Sequence, residues 1–72
     1  MTNKELLNER IKKSGMKKSY IAKALGIAPG SLSRKIASQQ DFKASEINAL
    51  CKLLGIETPE EKEAIFFAAK VA

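Results

Sequence analysis

Arg34, with Gly30, Ser31, Ser33 and Lys35 around it, gives the run 30–35 short, polar or basic side chains at positions that a helix would turn outward. A guanidinium so placed can donate two parallel hydrogen bonds to the O6 and N7 edge of guanine, the commonest specific pairing in a DNA major groove. Serine hydroxyls at the same level reach phosphates or base edges. A second group, Lys17, Lys18 and Ser19, stands where a new helix is expected to begin. There, cationic side chains coincide with free amides and the positive end of the helix dipole, a combination suited to a phosphate oxygen. Gln39, Gln40 and Lys43 lie just beyond the run and are expected to grip the sugar-phosphate backbone from the other side.

Other chemistries find little to work with. The chain has 72 residues, no histidine and one cysteine, Cys51. No intramolecular disulfide can form and no zinc set can be assembled, so no metal site is expected. There is no Gly-rich phosphate loop and no nucleophile beside a base, which leaves no candidate catalytic residue, no cofactor and no small-molecule substrate. Cys51 falls on an apolar helical face and reads as a buried structural thiol rather than a redox sensor. No apolar stretch is long enough to span a bilayer and the start is not signal-like, so a cytoplasmic location is expected. No helix pairs a bulky aromatic face with a lysine-rich one, which argues against a membrane-surface role.

Charge is divided unevenly. Residues 1–43 carry ten Lys and Arg against three acidic residues, a net +7, whereas residues 44–72 carry three against five, a net −2. The first half is the one suited to a polyanion, although a solvated charged face would show the same excess.

These side chains need a scaffold, and the sequence predicts five helices in a single domain over residues 1–72. Thr2 and Glu5 have the spacing of a capping box, so a first helix should begin there and run to about Ser14, with Leu7 and Ile11 as its apolar stripe. A second, from about Lys17 to Leu25, buries Ile21 and Leu25 and stops at Gly26. Pro29 suits the first position of a third helix, roughly Pro29 to Ser38, whose inner face is Leu32 and Ile36. After the turn-prone stretch 38–41, Ile47, Leu50, Cys51 and Leu54 fall at helical spacing up to Gly55. Thr58, Pro59 and Glu61 open a fifth helix. The apolar run from Ala64 to Ala69 can continue that helix or become a short strand. Ile65, Phe66 and Phe67 within it are expected contacts of a homodimer, with Phe66 and Phe67 equally open to a place in the core.

Between Lys18 and Ile36 the layout is that of a helix-turn-helix. Ala22 is small where two helices cross, Gly26 supplies the unhindered backbone of the turn, Ile27 plugs it, and Leu32 packs back on Ile21 and Leu25. The string Ile21-Ala22-Lys23-Ala24-Leu25-Gly26-Ile27 followed by Ser31-Leu32-Ser33-Arg34-Lys35-Ile36 resembles the phage-type regulators of the Cro and lambda-repressor class, the XRE helix-turn-helix family. The ending, from Ser45-Glu46-Ile47 through Leu53-Leu54-Gly55-Ile56 to Phe66-Phe67 and Lys70-Val71, is similar to short proteins encoded in prophages of Gram-positive bacteria.

That resemblance implies an all-α, five-helix, lambda-repressor-like bundle, a double-stranded DNA operator and usually a dimer. Two positions depart from it. Pro29 and Gly30 stand where the family often has a side-chain base reader, and Lys35 stands where an apolar residue is common. Lys35 therefore reads as a phosphate contact. The bare start of the third helix also leaves room for a protein-interaction module, antirepressor-like or antitoxin-like, that keeps the fold without specific DNA binding.

Overall fold

Asn3, not Thr2, caps the first helix: its side-chain oxygen accepts the Leu6 N–H at 3.1 Å, and α1 runs Lys4–Ser14. The predicted capping box is one residue out of register because the Thr2 backbone is used elsewhere. Its N–H donates to Ser38 Oγ at 3.0 Å, and Ser38 Oγ donates back to the Thr2 carbonyl at 2.9 Å. The computed structural model describes residues 2–67 of the chain.

The remaining helices are α2 (Lys18–Leu25), α3 (Pro29–Ile36), α4 (Ala44–Leu54) and α5 (Pro59–Phe66). The all-α, five-helix architecture is the one the sequence predicts. The apolar run continues α5 as helix to Phe66; Ala68, Ala69, Lys70 and Val71 lie outside the described residues. Thr58 caps α5 as expected, its hydroxyl oxygen accepting the Glu61 N–H at 3.2 Å, with Pro59 in the first turn.

Each helix delivers one side chain to the centre. Leu7, Ile21, Leu32, Leu50 and Ile65 come from α1 to α5 in turn, and all are essentially inaccessible to solvent. Burying a Leu or Ile side chain contributes about 1.5–3 kcal/mol relative to exposure, so the five together hold every helix to one core. Phe42, in the connection between α3 and α4, joins them. Its ring meets Phe66 edge to face, with centroids 5.6 Å apart and planes at 87°. The sequence reading missed Phe42 because it stands alone among polar residues, outside any periodic stripe.

Arg10 ties the far end of the bundle. Its Nη2 donates to the Leu54 carbonyl at 2.9 Å, satisfying an orphan acceptor at the C-terminus of α4. Its Nε makes an ion-pair contact of 3.3 Å with Glu61 of α5, too poorly aligned to count as a hydrogen bond.

Candidate nucleic-acid interface

The turn between α2 and α3 is built on Gly26, whose φ of 74° would be costly for a residue with a β-carbon. With the chain in that conformation, Gly26 N–H donates to Lys23 O at 3.1 Å and Ile27 N–H to Ala22 O at 3.0 Å, so two end carbonyls of α2 are satisfied. Ile27 packs against the core, as the sequence predicts, and Ala22 is fully buried at the crossing. Leu32 and Ile36 fix the inner face of α3.

The opposite arc of α3 faces solvent. Gly30, Ser33 and Arg34 are exposed and Ser31 is half-buried. Arg34 lies back along its own helix toward the N-terminus: Nη2 is 3.4 Å from Ser31 Oγ, and a β-carbon on Gly30 would stand 3.7 Å from Nη1. That direction is the usual one for a long side chain on a helix. The bare position at Gly30 is thus overlaid by the guanidinium four residues on, so the leading edge of α3 carries a donor fork after all. Pro29 and Gly30 carry no side-chain donor themselves.

Lys17, Lys18 and Ser19 are exposed at the start of α2. No side chain caps α2 or α3, in contrast to the Asn3 and Thr58 caps of α1 and α5. Gln39, Gln40 and Lys43 are exposed in the connection leading to α4. Tyr20, on α2 and 57% exposed, adjoins the Lys17–Ser19 group and is absent from the sequence-predicted contacts.

Lys35 requires correction. It is not on the outer arc with Arg34 and is only 8% exposed; its Nζ donates to Glu46 Oε1 at 2.6 Å and Oε2 at 2.8 Å. The position faces inward beside Leu32 and Ile36, and a lysine is tolerated there because α4 supplies a buried carboxylate. Glu46 Oε1 also accepts the Lys43 N–H at 2.8 Å, which starts α4. Burial pushes the Glu46 carboxyl up. The hydrogen bond from Lys35, that from the Lys43 amide and the charges of both lysines outweigh it and hold the carboxyl below its ordinary value. Lys35 therefore contacts Glu46 and not a phosphate. An acid one residue before the apolar stripe of α4, and a base on the apolar arc of α3, were the signal in the sequence.

Ile65 is corrected as a dimer contact, and of the two rings left open between core and dimer, Phe66 turns inward. Ile65 is 1% exposed with its carbonyl accepting the Asn3 N–H at 2.6 Å, and Phe66 is 3% exposed against Phe42. Both are interior. Phe67, 54% exposed, is the ring that remains outside. Cys51 is half-buried, and burial pushes its thiol up, with Lys62 and Glu61 acting in opposite senses.

Two short helices joined by a glycine-closed turn, the second held by Leu32 and Ile36 with a polar arc outward, define a helix-turn-helix protein. Residues 6–61 match the family model of the Cro/C1-type helix-turn-helix DNA-binding domain, and the chain belongs to that family. No curated protein and no solved structure matches it. No helix among the described residues is long and apolar enough to cross a membrane.

Proposed function

We propose that the chain is a sequence-specific transcriptional repressor of the prophage type, acting in the cytoplasm on double-stranded DNA. In this reading α3 enters the major groove, Arg34 reads guanine, and Ser31 and Ser33 contact bases or phosphates. Lys17, Lys18, Ser19, Gln39, Gln40 and Lys43 hold the backbone on either side. The observation that carries the reading is the exposed guanidinium of Arg34, laid over Gly30 at the leading edge of a helix whose other face is buried.

The protein binds as a homodimer to an inverted repeat with half-sites about one helical turn apart, as two-fold symmetric readers of this geometry do. Support for self-association is the exposed ring of Phe67 beside a groove lined by Phe42, Ile47 and Phe66.

Selection of bound duplexes from random-sequence DNA tests the proposal. An enriched inverted repeat is expected, with affinity falling steeply as salt rises because several lysines displace condensed counterions. No enrichment, with no salt-sensitive binding to any duplex, would overturn it.

A further inference from the structure

Buried ion pairs are poor stabilisers, since removing two charges from water costs about as much as their attraction returns, and an apolar pair of the same volume often does as well. Lys35 and Glu46 are nevertheless two of only three buried polar or charged residues among the described residues, the third being Thr2. What distinguishes the pair is where it sits. The extensive helix contacts join α2 to α3, α2 to α4, and α1 to α3, α4 and α5; α3 and α4 are not among these pairs. Of the connection 37–43, Phe42 alone is buried. Among the described residues, the twofold hydrogen bond from Lys35 to Glu46 is thus a polar cross-link between α3 and α4.

The geometry points to Glu46 as the positioning residue of the DNA-binding site: its carboxylate locks the spacing between the helix that presents Arg34 and the turn that presents Lys43. Through Lys35 it holds the residue next to Arg34 in sequence, some 100° around α3 from it, so a rotation of α3 that moved the guanidinium would break both bonds at 2.6 and 2.8 Å. Through the Lys43 amide, bonded at 2.8 Å, it fixes the residue whose exposed side chain grips the backbone. One carboxylate therefore sets the register of base readout against phosphate contact, and register is what converts affinity for any DNA into affinity for one site. The carboxyl is held below its ordinary value, so the lock is charged throughout the neutral range. This inference rests on the proposed reading of α3 as the base-reading helix.

The test uses the full chain, a duplex selected by it from random DNA, and a scrambled duplex of the same length. Glu46→Gln keeps an oxygen for the Lys43 amide but loses the charge. Lys35→Met with Glu46→Gln also removes the uncompensated cation, which keeps a folded variant available. For variants shown by circular dichroism to be folded, the ratio of selected to scrambled affinity should fall about tenfold, the size of one lost base contact. In an Arg34→Ala background the same changes should cost the ratio little further, because the register acts through Arg34. A folded variant with an unchanged ratio overturns the assignment of Glu46 while leaving the repressor reading intact, as do losses fully additive with Arg34→Ala. A wild-type chain that enriches no duplex overturns the repressor reading itself, and the role of Glu46 with it.

Discussion

Ser38 and Thr2 hold each other twice, the Thr2 N–H donating to Ser38 Oγ at 3.0 Å and that hydroxyl donating to the Thr2 carbonyl at 2.9 Å. Ser38 has a φ of 64° and closes α3 as a glycine would, with its own N–H on Lys35 O and the Gln39 N–H on Arg34 O. A left-handed L-residue costs roughly 1–2 kcal/mol, and the paired hydrogen bonds offset it. Thr2 is thereby pinned to the end of α3.

Ser38→Ala retains the strained backbone and loses both bonds, so it should destabilise by about 1–2 kcal/mol and lower the melting temperature by about 4–8 °C for each kcal/mol. Ser38→Gly loses the same bonds but relieves φ, and should melt higher than the alanine variant. Equal melting of the two would show that the conformation at residue 38 carries no strain.

Arg34→Ala should cost about 1–3 kcal/mol on the selected duplex and relax preference at one base pair. Lys18→Ala should weaken selected and random DNA alike and flatten the salt dependence of binding by about one counterion. Titrations on both duplexes at several salt concentrations separate the two. Uniform losses from both variants would deny Arg34 a base contact.

The local signals explain how far the sequence carried. Pro29, Thr58, Gly26 and Gly55 punctuate the chain by backbone physics that needs no tertiary context, so the five helices were legible and their limits were displaced by a residue or two at Asn3 and Ile36. Arg34 was legible as an outward donor because it lies opposite Leu32 and Ile36. Lys35 was not. A lysine next to Arg34 reads as surface, and only the carboxylate eleven residues on, brought up by the turn through Phe42, makes its burial tolerable. Likewise Ile65, Phe66 and Phe67 are consecutive and equally apolar, and nothing local says which two turn inward.

The Glu46 carboxyl has a pH signature. It is held below its ordinary value in the folded chain, chiefly by Lys35 against the opposing effect of burial, so near that value the unfolded chain binds more protons than the folded one. Stability then rises with pH. The contribution is fully present above the ordinary carboxylate pKa of about 4.3 and is lost as pH falls through the lowered folded value. Chemical denaturation of wild type and Glu46→Gln at pH values from about 6 down to about 3 should give a steeper loss for wild type. Glu61, Asp41 and the other acids are common to both chains and cancel in the difference. Parallel curves would mean that the pair does not distinguish the folded from the unfolded carboxyl.

Phe66 and Phe67 should separate folding from self-association. Phe66 is 3% exposed and edge to face with Phe42, so Phe66→Ala opens a cavity and should cost about 3–5 kcal/mol, a large fraction of the stability of so small a chain. Phe67 is 54% exposed, and Phe67→Ser should leave the folded monomer within about 0.5 kcal/mol of wild type. If the groove beside Phe67 takes a second copy, light scattering should give a dimer for wild type and a monomer for Phe67→Ser at the same concentration, with matching circular dichroism. Affinity for the full inverted repeat should then fall in Phe67→Ser while affinity for a half-site stays level, because the two recognition helices are no longer linked. Dimers from both chains would place the self-association surface away from Phe67, and monomers from both would remove the support that the exposed ring lends to an inverted-repeat operator.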